Sequence, residues 1–429
     1  MSVRLGNGNW AVSSSKLLAY NDAAGPFFNK EFDFTRATSA TRYNKSSLIE
    51  SVDNNIARID FLGSSEGHLL LEPASTNKIP NSENVGDGKN SPQKMDRTLN
   101  VAVAPDGTTT ADLCIPNTQS ASHQAYQFRD DDTSTSFVSG SNYAWSVFVK
   151  SNPTNGAQFV QMATFISTGG SDKVNFDIVN GTITQTGFES SKIENYGNGW
   201  FRCSIVFAAL RDSSAGGSDG WSLNSITAGD SGRAESFAGD GSSNGVLVWG
   251  AQFEEVKDFA TSYIPTAGAS VTRNAETCNG SGAEQDFNSL EGVIYLEIAA
   301  IADDQTFKEI SISDSSEANE VLIRTFHTSA NIYNARITAN SSVESTMINT
   351  LSDITQFNKI ALKYKSGDIG FFINGVKVVT NTSTFTFTNN LNQLRFEDGG
   401  GGGDFYGKVR DLRVFTKALT DTELITLTT

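Results

Sequence analysis

Apolar and polar residues alternate with a period of two through much of this chain, the pattern of strands that bury one face. In YAWSVFVK, Tyr143, Trp145, Val147 and Val149 fall on one face. The alternation returns in Phe201–Phe207, at Ile294, Leu296 and Ile298, and in KIALKYK through Ile360, Leu362 and Tyr364. Val246–Trp249 reads as a continuous apolar strand. Asn180-Gly181, between Val174–Val179 and Thr182–Thr184, predicts a hairpin with a two-residue type I′ turn. Asn374-Gly375 inside FFINGVKVV predicts another, because both turn positions want positive φ. One helix is predicted, close to the C-terminus. There Thr420 and Glu423 form a capping box, and Leu419 and Leu424 are placed as its hydrophobic staple.

The spacing of these strands, with Gly, Ser and Asp turns between them, predicts an all-β fold. Two jelly-roll-like β-sandwich domains stand in tandem after a short N-terminal leader. Residues 1–80 form the leader, whose clearest strands, Ala57–Leu62 and His68–Leu71, flank the turn GSSEG. It is thin in apolar residues, so it is expected to pack on the next domain, on a sister chain or on a larger assembly. Residues 81–272 form the first sandwich. Residues 273–288, RNAETCNGSGAEQDFN, are polar and without periodicity and read as a linker. Residues 289–429 form the second sandwich.

Composition narrows the picture. In 429 residues there are 38 glycines, 8 prolines and 19% charged residues, the profile of a polar, loop-rich β protein. A hydrophobic fraction of 38% supports folded domains. The net charge of −16 disfavours a nucleic-acid partner, which needs clustered Lys and Arg. Cys114, Cys203 and Cys278 are too few and too scattered for a disulfide framework. Cys203 alternates with Phe201, Ile205 and Phe207 and reads as a buried thiol. No apolar run is long enough to span a bilayer, and no signal-peptide core follows Met1, so no membrane insertion is expected.

Two long stretches carry a family resemblance: FDFTRATSATRYNKSSLIE from Phe32 and GAQFEEVKDFATSYIPT from Gly250. HLLLEPASTNKIPNSENV, APDGTTTAD, GNGWFRCSI and FAGDGSSNGVLVWGAQFEE follow the same order. Together, over roughly Phe32 to Arg273, they resemble bacteriophage tail-fibre-like and receptor-binding-like virion proteins with carbohydrate-binding-module-type jelly rolls. Phe253 and Lys78-Ile79 depart from the family pattern without touching any chemistry. The closing FYGKVRDLRVFTKALTDTELITL resembles the end of a laminin-G/concanavalin-A-like lectin domain.

What the resemblance implies is a virion protein that binds host-surface polysaccharide multivalently through sandwich loops, released from the host cytoplasm by lysis. It also implies contacts with other virion proteins and a homo-oligomer, most often a trimer. The alternative is a structural virion component, such as a head fibre, decoration protein or tail adaptor, without receptor activity of its own.

Candidate chemistry is sparse. His68, His123 and His327 lie far apart without metal-ligand spacing and read as satisfied surface or strand residues. Asp130-Asp131-Asp132, Asp303-Asp304 and Glu397-Asp398 sit in turn-like stretches and read as solvated loops, not as a glycosidase pair. No enzyme and no catalytic residue is therefore expected. Gly399–Gly403, within EDGGGGGDFYG, lacks the lysine and helix of a phosphate cradle and reads as a loop edged by Asp398, Asp404 and Tyr406. Those carboxylates are the candidates for holding Ca²⁺, although Ca²⁺ wants six or more oxygens and no cofactor is required by the pattern. Sugar recognition needs an exposed aromatic ring. Among Trp10, Trp145, Trp200, Trp221 and Trp249, Trp221 after DSSAGGSDG reads as the one best placed for partial exposure. The candidate carbohydrate-binding residues are Trp221, Asp398, Asp404 and Tyr406.

Overall fold

Alternation becomes two sandwiches, each made of two sheets that enclose their own core. The computed structural model describes residues 2–6, 11–13, 16–19, 30–84, 93–129, 135–166, 172–188, 190–212, 220–255, 257–325 and 329–429. Trp10, Asp130-Asp131-Asp132 and His327 lie outside the described residues. Most of the described chain is strand, and its one α-helix is Asp421–Thr428.

Contacts divide the chain into two units, the first made of residues 1–39, 52–74 and 274–429 and the second of 40–51 and 75–273. Residues 1–80, read from the sequence as a leader, are thus shared between both. In the first unit, a sheet orders Val376–Asn381, Ile369–Ile373, Asn358–Lys365, Glu291–Ala300, Gly407–Phe415, His68–Leu71 and Arg58–Asp60. A second sheet orders Ser342–Thr350, Ile332–Ala339, Glu320–Thr325, Glu309–Ser313 and Gln393–Arg395. Ile294, Leu296, Ile298, Ile360, Leu362 and Tyr364 meet Ile310, Ile312, Val321 and Ile323 in one core. The segment 273–288 is not a bare linker: Thr277–Asn279 pairs with Lys30–Thr35, placing Cys278 opposite Phe34, both buried. Three residues are too few for alternation to register in the sequence.

A buried ion network holds this unit's discontinuous pieces. Glu276 accepts Arg36 Nη1 at 2.7 Å and Arg58 Nε at 2.8 Å, and also pairs with Arg58 Nη2, which reaches Glu72 at 2.9 Å. Arg36 gives its remaining N–H groups to the carbonyls of Thr38, Val52, Asp53 and Ile56. Every side-chain donor of Arg36 thus aims at an oxygen, the condition under which a charge tolerates burial.

In the second unit, one sheet orders Met95–Ala102, Ala111–Pro116, Val246–Glu255, Asn142–Ser151, Phe201–Ala208 and Ser190–Asn195. The other orders Thr182–Thr186, Lys173–Asp177, Phe159–Thr164, Gly220–Ile226, Ser120–Arg129 and Ser236–Ala238. Tyr143, Trp145, Val147, Val149 and Cys203 line the core between them. All three cysteines are buried thiols.

The two Asn-Gly steps behave differently. Asn374 and Gly375 both take positive φ, 47° and 80°, between Ile373 and Val376, the type I′ hairpin expected. Asn180-Gly181 does not follow suit. Asp177 pairs with Thr182 across a four-residue turn in which Gly181 is at positive φ, and Asp177 Oδ1 accepts the N–H groups of Val179 and Asn180. The aspartate, which the dipeptide signal ignores, selects the longer turn. At the C-terminus, Thr420 and Glu423 cap each other, and Leu419 packs against the apolar cluster that holds buried Leu424.

Candidate functional site

The segment joining Gln393–Arg395 to Gly407–Phe415 in the first unit carries Asp398, Asp404 and Tyr406. Its five glycines are wound around one carboxylate. Asp398 Oδ1 accepts the N–H of Gly400 at 2.8 Å and of Gly402 at 2.7 Å, while Asp398 N–H reaches the Gly402 carbonyl at 2.8 Å. Gly401 and Gly403 take φ of +94° and +63°, where a side chain is strained. A Cβ on Gly399 would overlap the Ser316 carbonyl, and one on Gly403 would overlap the Glu309 carboxylate. Close approach, rather than looseness, accounts for these glycines.

Below the loop lie polar residues of the neighbouring sheet, on the faces of Glu309–Ser313 and Glu320–Thr325 turned away from the core. Glu320 Oε1 accepts Gly399 N–H at 2.6 Å, Glu309 N–H reaches the Gly403 carbonyl at 2.8 Å, and Ser311 Oγ reaches the Glu397 carbonyl at 2.8 Å. Arg324 pairs with Glu309 and Arg336 with Glu320, at 2.8 and 2.9 Å. Burial pushes the Glu309 carboxyl up to about 7, with Asp398 and Glu320 adding to the shift and Arg324 opposing it. Burial raises Glu320 as well, with Asp398 adding and Arg336 and the Gly399 N–H opposing. At the far end of the loop Tyr406 donates to Asp404 Oδ2 at 3.0 Å, and burial followed by the Asp404 charge raises its phenol.

Asp398, Asp404 and Tyr406 are each half-buried, whereas Gly400, Gly401 and Gly402 are exposed. The rim thus offers carboxylate acceptors, a phenol and open peptide groups, a set suited to hydroxyl recognition. Among the described residues, no group of three or more His, Cys, Asp and Glu is placed to hold a metal ion.

The structure does not bring Trp221 to this rim. It lies in the second unit with 0% of its surface exposed and stacks on Phe253 at 3.8 Å between ring centroids. Its alternation with Leu223 puts both on the core face of Gly220–Ile226, so it cannot serve as a sugar plate. Trp145 and Trp249 are core as expected, and Trp200 is buried with its N–H on the Val103 carbonyl. Glu397 is likewise no solvated loop residue but buried and paired with Arg395. His68 and His123 are fully buried. His123 has a carbonyl at each ring nitrogen, from Lys94 and Phe237, but neither nitrogen of His68 meets a hydrogen-bond partner. Sequence reading missed Glu309, Glu320, Arg324 and Arg336. For Glu309, Glu320 and Arg324 the signal was available in the alternation of EISIS and EVLIRT, and for Arg336 in that of IYNARITA, between core residues Ala335 and Ile337.

Residues 298–425 match the family model described as the concanavalin A-like lectin/glucanases superfamily. The C-terminal sandwich is therefore of lectin type. Among solved structures, the chain is similar to the CBM40 of the Ruminococcus gnavus IT-sialidase bound to α2,3-sialyllactose. The identity is 16% and the TM-score 0.30, over 35% of this chain and 94% of that one. It is similar to the heptameric SAP-like pentraxin of Limulus polyphemus at 13% identity and TM-score 0.29, over 35% of this chain and 72% of that one. It is also similar to the NanB sialidase of Streptococcus pneumoniae at 15% identity and TM-score 0.29, over 34% of this chain and 25% of that one. No curated protein matches the chain.

Proposed function

We propose that this protein is a non-enzymatic glycan-binding protein whose C-terminal sandwich meets sugar hydroxyls at the rim Asp398–Tyr406. The observation that carries this reading is the lectin-type match over residues 298–425, whose sandwich carries that polar loop. The finer reading is adhesion. A bacteriophage virion protein of tail-fibre or receptor-binding type, present as a homo-oligomer, would hold host-surface polysaccharide through many weak contacts. Linking such contacts raises avidity by roughly 10²–10⁴ without a tight single site. The resemblance carried by Phe32 to Arg273 supports this reading.

A binding rather than cleaving role is supported by the state of the two acids beneath the loop. Glu309 and Glu320 are buried and each is held by an arginine, whereas a glycosidase needs a pair flanking the scissile bond. The test is a glycan array with the intact chain, followed by a reducing-end assay on every glycan bound. Binding that falls in Asp404→Ala and Tyr406→Phe, with no new reducing ends, is expected. Released reducing ends, or binding indifferent to both substitutions, would overturn the assignment.

One observation favours a structural virion role instead. Met95–Ala102 is the outermost strand of its sheet and exposes Leu99 and Val101, with exposed Val103 following. An apolar open edge is a template for pairing with another chain. Loss of particle assembly on charging this edge (Val101→Lys), with no glycan bound by the intact chain, would select that reading.

A further inference from the structure

On the face of the second unit's sheet turned away from the core, five carboxamides stand opposite one another in register. Gln185, Asn175, Gln161, Asn224 and Gln124 come from five adjacent strands. At ordinary strand spacing the row is about 19 Å long. One half of it is fully engaged. Gln161 Oε1 accepts Ala234 N–H at 2.7 Å, and its Nε2 reaches Asn175 Oδ1 at 2.8 Å and the Gly232 carbonyl at 3.0 Å. Asn175 Nδ2 reaches the carbonyls of Gly229 and Ser231, both at 3.0 Å. These amides tie down the segment 227–235, which is braced internally by Glu235 on Thr227 and Ser231.

The other half is not engaged. Asn224 Oδ1 and Ser222 Oγ are fully buried and meet no hydrogen-bond partner, and Asn224 Nδ2 has only a 3.5 Å approach to the Gln161 carbonyl. Ala163 stands beside Ser222 in register on one side, so a small side chain borders it there. An unpartnered buried polar atom costs roughly 1–3 kcal/mol, and an apolar side chain of the same shape would remove that cost.

We propose that the Ser222–Asn224 half of this row is the floor of a second, distinct binding site, for a neutral polyhydroxylated ligand such as an oligosaccharide. A hydroxyl both donates and accepts, so it can give its hydrogen to Asn224 Oδ1 and take one from Ser222. The amides carry no charge, and a chain of net charge −16 repels polyanions, so neutral glycans are the class selected. Because both groups are shut off from solvent, a ligand reaches them only when segments bordering the row open. The ligand class rests on the glycan-binding reading; the site does not.

The test uses the full chain on an array of neutral oligosaccharides: α-glucans, β-glucans, galactans and mannans. Asn224→Leu is expected to melt at or above the unsubstituted chain's temperature and to lose at least tenfold of a glycan signal. Ser222→Ala, nearly unchanged in volume, is expected to lose severalfold, and it decides the matter if Asn224→Leu fails to melt cooperatively. Absence of any glycan signal sensitive to these substitutions overturns the proposal, whether the chain binds other glycans or none. A signal abolished by Asp404→Ala but indifferent to Ser222 and Asn224 overturns it while leaving the proposed function standing.

Discussion

Gln252 accepts the N–H of Ile264 on Oε1 at 2.7 Å, and its Nε2 turns to the carbonyls of Thr261 and Ser262 at 3.2 and 3.3 Å. Glu254, two residues on, accepts Thr261 N–H at 3.0 Å, Thr261 Oγ1 at 2.6 Å and Ser75 Oγ at 2.5 Å. Asn77 completes the arrangement, donating to the carbonyls of Ala251 and Ile264 and accepting Ile79 and Phe253 N–H. The motif GAQFEEVKDFATSYIPT thus fastens its own second half, in a strand buried on both faces.

Glu254→Ala would strand two hydroxyls and an N–H in the interior of the second unit. A loss of roughly 3 kcal/mol is expected from three unsatisfied groups that relax in part. For a domain of this size that lowers the melting temperature by about 6–12 °C. Differential scanning calorimetry should show the shift in one transition, with glycan binding at Asp404 and Tyr406 intact below it.

Glu276→Gln in the first unit removes the charge shared by Arg36 and Arg58. Breaking a buried pair from one side costs about 3–5 kcal/mol, because the partner charge remains buried. Replacing Glu284, the first residue of the short turn Glu284–Asp286, by Gln should move stability by no more than about 0.5 kcal/mol. Urea denaturation of both variants separates the two cases.

His68 gives the first unit an acid limit. Burial, and then the charges of Lys408 and Arg410, hold its imidazole well below the usual range, although Asp60 Oδ1 lies 3.6 Å from Nε2. Its folded pKa is depressed, so the unfolded chain takes up the proton first. Stability is present above about pH 6.5 and falls below it, by about 1.4 kcal/mol per pH unit until the folded pKa is reached. His68→Leu should flatten that limb in a melting-temperature series from pH 7.5 to 5.

Glu309 acts with the opposite sign. Its folded pKa of about 7 lies above the ordinary carboxyl value of 4.5, so the stability it lends is present below pH 4.5 and is lost as pH rises through 7. Glu309→Gln should therefore gain on the unsubstituted protein as pH rises from 4.5 to 8. A constant difference across that range would show that the carboxyl does not titrate in the folded state.

Gly403→Ala places a methyl at φ +63° against the Glu309 carboxylate. A loss of about 1–3 kcal/mol in the first unit is expected. Glycan signal at the Asp404–Tyr406 rim should weaken even where the protein is fully folded. Gly401→Ala, also at positive φ but with no atom closer than 3.8 Å, should weaken it less.

Strands of both cores were readable where alternation was sustained and rich in large apolar residues, as at Tyr143–Val149 and Ile360–Tyr364, whereas Glu309–Ser313, whose polar half is glutamate and serine, was passed over. Short elements such as Thr277–Asn279 were not readable, because three residues define no period. Trp221 was misplaced because the glycine-rich run before it suggested an exposed edge, while its own alternation with Leu223 pointed inward. In the candidate site, Asp398, Asp404 and Tyr406 were readable from the glycine run between them. Glu309 and Glu320 lie about 80 to 90 residues upstream and join the site only through sheet pairing.

From the linear order of residues alone came the all-β class, the Asn374-Gly375 hairpin and the capped terminal helix. Each depends on neighbours a few positions apart, whose backbone preferences act locally. The tertiary structure decided how residues 36, 58, 72 and 276 come to share one buried network. It also decided which polar faces close over a loop or a strap, and which buried oxygens are left without a donor. Those outcomes depend on strand register between distant segments, and register is set by packing whole sheets together rather than by any short run of sequence.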